Sequence, residues 1–294
     1  MNHCSLSHLR AAGLSDVGCK RASNEDNFCI DEALGLLLVA DGMGGHAAGE
    51  IASQEAITSL SAFLRQYRST MEMPAPEAAI AHADPYHTQP VASGTMVFAA
   101  KEGDWEDDDR TLEDLPNPAI VAITAAIQYA NQRIYAMNQE MGYRDKQGMG
   151  TTVVGLWLPG EGLNQAAIFH TGDSRLYLYR ARQLLRLTKD HTLYQQWEDY
   201  GRIGPSPARN TLLRALGPSA QVTPDVCLHA LLSGDLILLC SDGLTSMVPD
   251  PMIEAMLGQH ESDENLETTC KELIDRAKQR GGDDNVTVIL CRYV

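Results

Sequence analysis

Residues 34–53 read Leu34-Gly35-Leu36-Leu37-Leu38-Val39-Ala40-Asp41-Gly42-Met43-Gly44-Gly45-His46-Ala47-Ala48-Gly49-Glu50-Ile51-Ala52-Ser53. An apolar run of strand length ends in a carboxylate. A glycine-rich segment follows, then small residues that open an amphipathic pattern. A continuous apolar run, rather than an alternating one, marks a strand buried on both faces. The glycines let backbone carbonyls and amides come close to a ligand. Taken alone, Asp41-Gly42 is also an ordinary hairpin-turn signal.

The same junction recurs along the chain. Residues 166–172 (AAIFHTG) lead into Asp173-Ser174, and residues 235–241 (DLILLCS) lead into Asp242-Gly243. Asp284-Asn285 opens the run VTVIL, and Asn24-Glu25-Asp26-Asn27 opens FCI. Five acidic clusters at strand ends are costly to gather, because like charges repel and each must shed water. A cation between them removes that cost. Hard divalent cations favour carboxylate, carbonyl and water oxygens. The pattern therefore points to a Mg²⁺- or Mn²⁺-type site assembled from several strand ends.

These residues carry a resemblance. Gly18-Cys19-Lys20-Arg21 with Asn24-Glu25-Asp26, residues 41–46, Gly49-Glu50, Ala52-Ser53, Gly150-Thr151-Thr152, Gly172-Asp173-Ser174-Arg175, residues 187–191, Ser241-Asp242-Gly243-Leu244 and Asp284-Asn285 occur in a specific order. The sequence resembles the metal-dependent serine/threonine protein phosphatases of type 2C, in their bacterial form. The resemblance implies an α+β fold, a four-layer α/β/β/α sandwich of two mainly antiparallel sheets with helices outside each. It implies hydrolysis of phosphoserine and phosphothreonine on proteins by a water activated between two cations, Mn²⁺ or Mg²⁺, roughly 4 Å apart. At the matched positions it makes Asp41 the bridging carboxylate. The Gly42 carbonyl and Glu25 complete one metal, and Asp242 and Asp284 bind the other. Asp26 and Asn285 orient ligands and waters. Arg21 clamps the substrate phosphate, a task suited to a guanidinium fork.

Two departures from the family pattern follow. The resemblance to bacterial relatives implies a third, weaker cation shared by Asp173 and Asp242, but Ser246 stands where relatives often carry another Asp. Met43 follows Asp41-Gly42 where eukaryotic relatives carry a His. His46 is then a candidate general acid, with a metal-bound water as the alternative donor.

Composition narrows the function classes. The 294 residues are 44% hydrophobic and carry a formal net charge of −16. That charge argues against non-specific binding to nucleic acid or to anionic membranes. No apolar run approaches the ~20 residues of a membrane span, and the first residues lack the features of a signal peptide. Seven cysteines, with no C-x-x-C pair, read as reduced thiols in a cytoplasmic protein. Zinc-site spacings are missing.

Periodicity supplies the remaining elements. Helical spacing covers residues 47–67, 119–139, 252–257 and 265–278, with a short helix at 191–200. Strands are expected at 8–15, 28–30, 36–40, 223–229, 235–240 and 286–292. Four further strands, at 151–158, 165–171, 175–180 and 183–187, read as successive hairpins. Residues 69–118 interrupt the pattern with six of the thirteen prolines, and residues 101–114 hold eight acids against two bases. The corresponding connection in the family is usually much shorter, so the resemblance makes this stretch an insertion, with a short strand expected at 91–100. It is either a tolerated loop or a partner-docking element anchored by Trp105. The whole chain, 1–294, is expected to be one domain and a monomer.

Three functions compete at this level. The first is a protein phosphatase opposing a cellular Ser/Thr kinase. The second is a catalytically silent phosphoprotein-binding regulator on the same fold, disfavoured because no metal carboxylate is missing. The third is a Ca²⁺-binding structural domain, which lacks an EF-type loop and leaves Arg21 without a task.

Overall fold

A computed structural model describes residues 9–44, 47–72, 117–145, 147–160, 165–260 and 265–294. In chain order the strands and helices are β1 (Leu9–Asp16), β2 (Asp26–Asp31), β3 (Leu36–Met43), α1 (Ala47–Glu72), α2 (Pro118–Glu140), β4 (Gly150–Thr151), β5 (Val153–Trp157), β6 (Gln165–Thr171) and β7 (Arg175–Arg180). There follow β8 (Gln183–Arg186), α3 (Leu193–Asp199), β9 (Asp225–Ala230), β10 (Leu236–Cys240), α4 (Asp242–Thr245), α5 (Asp250–Gln259), α6 (Leu266–Gln279) and β11 (Val286–Tyr293).

Two antiparallel sheets result. One has the order β1-β11-β10-β7-β8, the other β2-β3-β5-β6-β9, with β4 paired to the end of β3. Strand periodicity explains the layers. Leu36, Leu38 and Ala40 face α1 and α2, while Leu37 and Val39 face the opposite sheet. In the other sheet Leu236, Leu238 and Cys240 pack against α4, α5 and α6, and Ile237 and Leu239 turn inward. Every central strand is covered on both sides, which is why its sequence is apolar without alternation. The helices begin where their caps dictate. The Asn117 side chain accepts from Ala119 N ahead of Pro118, and the Asn265 side chain accepts from Thr268 N. The four-layer α/β/β/α sandwich expected from the sequence is present. No described helix is long and apolar enough to cross a membrane.

Two local expectations change, and one competing reading falls away. Asp41-Gly42 is not a hairpin turn, because β3 runs on through Met43, with Asp41 opposite Asp26 and Gly42 opposite Thr151. The four strands expected as one run of hairpins divide between the sheets. β5–β6 is a hairpin in one and β7–β8 a hairpin in the other, so the chain crosses layers at residues 172–174. The expected strand at 151–158 is broken at Thr152, which departs from the ladder to bond Asp41. Most of the 69–118 insertion, including Trp105 and the strand expected at 91–100, lies outside the described residues, although α1 continues to Glu72.

Ile289 is fully buried in the layer between the sheets. Ile289→Ala should cost about 2–5 kcal/mol of stability, read by equilibrium urea unfolding. An unchanged midpoint would contradict the inter-sheet packing.

Candidate metal centre

The acidic clusters meet because antiparallel neighbours bring opposite ends together. The end of β10 lies beside the start of β7 and the start of β11, with Cys240 opposite Arg175 and Val288. Asp242 follows that end by two residues, and Asp173 and Asp284 precede the two starts by two residues each. In the other sheet the start of β2 meets the end of β3 at the same edge, which adds Glu25, Asp26 and Asp41. Six carboxylates from five segments thus collect at one end of the sandwich. Arg21, Glu25, Asp41, Asp173, Asp242 and Asp284 line a cleft of about 850 Å³.

A polar frame fixes these groups. The Asn285 side-chain amide donates to Val17 O (3.0 Å) and Ser23 O (2.9 Å), and its oxygen accepts from Glu25 N (2.9 Å). Glu25 O in turn accepts from Ser53 Oγ (2.6 Å) and Gly42 N (3.2 Å). Asp41 N donates to Thr152 Oγ1 (3.1 Å), and Asp41 O accepts from Thr152 N and Thr151 Oγ1, each at 2.9 Å. Thr152 Oγ1 also bonds Ser174 Oγ at 2.7 Å, which ties Asp41 to the crossing that carries Asp173. Asp26 Oδ2 accepts from Ser241 Oγ and Thr287 Oγ1, each at 2.7 Å, and so pins the two sheets together. Close backbone approach completes the frame. A Cβ on Gly49 would overlap the Glu25 carboxylate, and one on Gly243 would overlap the Asn285 carbonyl.

The electrostatics of the cleft call for positive charge. Burial pushes Asp26 and Asp173 up to about 7 and Asp242 up to about 6, and neighbouring carboxylates add to the rise. Asp41 is also held well above the ordinary carboxylate range, first by burial and then by Asp26 and Asp242. Arg21 Nη2 donates to Asp284 Oδ2 at 2.7 Å, and this bond raises the guanidinium pKa. One half-exposed arginine does not neutralise that many acids. Asp26 Oδ1 is buried without a hydrogen-bond partner. Oxygen donors, raised carboxylate pKa values and an orphaned buried oxygen together fit a hard divalent cation.

The structure therefore brings together Arg21, Glu25, Asp26, Asp41, Gly42, Asp173, Asp242, Asp284 and Asn285, all named from the sequence. His46, the candidate general acid, lies outside the described residues. Ser246 caps the C-terminus of α4, donating its N–H to Asp242 O at 2.8 Å. Sequence reasoning quoted Ser53, Thr152, Ser174 and Ser241 within the family motifs but gave them no task, and it did not single out Thr287. A hydroxyl at these positions carries no signal until the register is known.

A second group stands apart from the carboxylates. His170, His191 and Asp225 offer ligand atoms within 4.8 Å of one another. Hydrogen bonds already engage the rings. His170 Nε2 bonds Lys189 O at 2.7 Å, and His191 Nδ1 accepts from Gly172 N at 3.2 Å. Burial and the adjacent His170 lower His191 to about 4, so the ring is neutral. Nε2 meets both the Asp225 carboxylate at 3.3 Å and Arg214 Nη1 at 3.2 Å, and Gly172 N–H on Nδ1 assigns the single ring proton to Nε2, facing Asp225. This group is a hydrogen-bond relay rather than an open set of metal ligands.

Comparison with known proteins places this geometry in context. Residues 20–286 match the family model described as protein phosphatase 2C. The serine/threonine protein phosphatase PstP of Mycobacterium tuberculosis is 36% identical over 291 residues, covering 97% of this chain and 45% of its own length. The chain thus spans about half the length of that relative. Protein phosphatase PhpP of Streptococcus pneumoniae is 32% identical over 285 residues, covering 94% of each. A solved structure of the PstP catalytic domain in complex with two manganese ions superposes with a TM-score of 0.69 at 32% identity, covering 97% of both chains.

Two measurements follow from the frame. Alanine favours helices over glycine, yet Gly49→Ala must displace Glu25. It should weaken Mn²⁺ binding about tenfold, or about 1.4 kcal/mol, while leaving far-UV circular dichroism unchanged. Unaltered Mn²⁺ affinity by calorimetry would contradict the close approach. The second concerns pH. Carboxylates raised toward 6 and 7 keep protons that the unfolded chain has already lost, so they destabilise the metal-free fold increasingly as pH rises from about 4 to 7. His170 and His191, held below 6.5, act in the opposite sense over about 4 to 6.5. The difference between Mn²⁺ and EDTA isolates the carboxylates. The gain in Tm on adding Mn²⁺ should grow from pH 5 to pH 7.5, and a pH-independent gain would contradict the assignment.

Proposed function

The chain belongs to the protein phosphatase 2C family, and on that footing we propose that it is a metal-dependent phosphatase that hydrolyses phosphoserine and phosphothreonine on proteins. The observation that carries this reading is the intact set of carboxylates gathered beside Arg21 in one cleft. A catalytically silent binder would have no need to keep every one of them at such electrostatic cost. The manganese found with PstP, whose catalytic domain has this architecture, favours Mn²⁺ as the first cation to test.

Glu25, Asp41 and the Gly42 carbonyl would hold one cation, and Asp41, Asp242 and Asp284 the other. Asp173 and Asp242 would take a third. When bound, such cations orient phosphate oxygens, lower the pKa of water and stabilise developing charge. The chain's own residues do the rest. Asp26 and Asn285 hold the ligands in place through Ser241, Thr287 and the Glu25 backbone. Arg21, bonded through Nη2 to Asp284, lines the cleft, where its other N–H groups can donate to phosphate oxygens. The Thr152–Ser174 bond keeps Asp41 and Asp173 at a set separation.

We take residues 1–294 as one phosphatase domain with an insertion at about 69–118, working as a monomer in the cytoplasm against a Ser/Thr kinase. The charge of −16 gives no support for nucleic-acid or anionic-membrane partners.

The test is hydrolysis of an aryl phosphate and a phosphothreonine peptide with Mn²⁺, with Mg²⁺ and with EDTA. Activity should require metal, and Asp41→Asn should reduce kcat at least about 10³-fold, or about 4 kcal/mol. Parental activity in that variant would overturn the mechanism. Arg21→Lys keeps the charge but loses the fork. It should raise KM roughly tenfold, about 1.4 kcal/mol, with a smaller change in kcat. An unchanged KM would remove Arg21 from phosphate binding.

A further inference from the structure

His191 lies 18 residues beyond Asp173 in sequence but is bonded to the residue next to it. Its backbone N–H donates to Gly172 O at 2.9 Å, and its ring Nδ1 accepts from Gly172 N at 3.2 Å. Both polar groups of Gly172 are thereby satisfied by one residue. Gly172 sits at φ +109°, in the layer crossing that delivers Asp173 to the cleft. A segment at that conformation has no ladder partner to fix it, so the clamp sets where Asp173 points.

The other side of the ring addresses a different element. His191 Nε2 lies 3.3 Å from Asp225 Oδ2 and 3.2 Å from Arg214 Nη1, and Arg214 Nη1 donates to Asp225 Oδ1 at 2.8 Å. His191 O accepts from Leu213 N at 2.7 Å, and Thr192 bridges Leu212. Residues 212–214 line the cleft. His170 stacks on the ring at 4.5 Å between centroids, and its Nε2 holds Lys189 O. The ring is buried on all these contacts, with only 8% of its side chain exposed. One imidazole therefore joins the turn that bears a metal carboxylate to the wall against which a substrate would lie.

We propose that His191 is a positioning residue with two separable arms, its Nδ1 fixing the Gly172–Asp173 turn for cation binding and its Nε2–H fixing Arg214 on the cleft wall through Asp225. The proposal rests on the phosphatase reading for its substrate arm, but the metal arm stands without it. Two amide substitutions divide the ring. The Asn amide reaches the place of Nδ1 and can accept from Gly172 N, but it falls short of Asp225. The Gln amide reaches the place of Nε2 and can donate to Asp225, leaving Gly172 N without its acceptor.

The experiment compares His191→Asn, His191→Gln and His191→Ala with the parent in two readouts, Mn²⁺ titration calorimetry and steady-state kinetics on an aryl phosphate and a phosphothreonine peptide. His191→Asn should keep parental Mn²⁺ binding and kcat, and raise KM about fivefold for the peptide only, about 1 kcal/mol. His191→Gln should keep the peptide KM, and weaken the Asp173-dependent Mn²⁺ site and lower kcat about tenfold. His191→Ala should show both defects. Equal behaviour of the Asn and Gln variants, whether parental or equally impaired, would overturn the two-arm assignment. So would a loss of thermal stability in all three with parental Mn²⁺ binding and kinetics, since that describes a purely structural histidine. If the parent binds Mn²⁺ but hydrolyses neither substrate, the phosphatase reading fails. The calorimetric contrast between the Asn and Gln variants then decides the metal arm alone.

Discussion

Six carboxylates packed into one end of a protein core impose the main constraint on this molecule. Asp26, Asp41, Asp173 and Asp242 lose water and face like charge, while Arg21 is bonded to Asp284. A chain selected only for stability would not keep such a cluster, because buried acids are replaced by apolar residues at a gain. The cluster makes physical sense when divalent cations occupy it. The rest of the architecture can be understood as the means of holding those acids at fixed separations before any cation arrives.

The stacked sheets meet this requirement through topology. The ladders that pair β2 with β3, and β10 with β7 and β11, bring strand ends from five distant segments to one edge. The inter-sheet layer of Leu37, Val39, Ile237, Leu239 and Ile289 holds the two edges face to face. Directly above that apolar layer, Asp26 bonds both Ser241 and Thr287 and joins the sheets through a polar contact. Packing sets the distance between the sheets, and this buried contact sets their register. The Thr152–Ser174 bond and the His191–Gly172 clamp extend the same logic to the one carboxylate carried on a crossing rather than on a strand end.

Much of this was legible in the sequence, for identifiable reasons. Apolar runs such as 36–40 and 236–240 announce strands covered on both faces, and the Asp that ends or follows each run marks a site at the strand ends. The ordered motifs gave the family, and with it the four-layer fold and the carboxylate set. What stayed hidden depends on contacts distant in sequence. A turn-like Gly172-Asp173 gave no sign that β6 and β7 belong to different sheets, since a hairpin and a layer crossing use the same residues. Asp41-Gly42 lies in an extended strand, although the dipeptide favours turns, because pairing with β2 and β4 overrides local preference. The supporting hydroxyls of Ser53, Thr152, Ser174, Ser241 and Thr287 become meaningful only once register places them against an acid.

The most direct test of this account is the number of Mn²⁺ ions that the metal-free chain takes up at pH 6.5, measured by titration calorimetry in two buffers of different protonation enthalpy. The account predicts at least two ions per chain, with protons released on binding as the raised carboxylates ionise. One ion or none, or binding with no proton release, would contradict the claim that these buried acids exist to hold divalent cations.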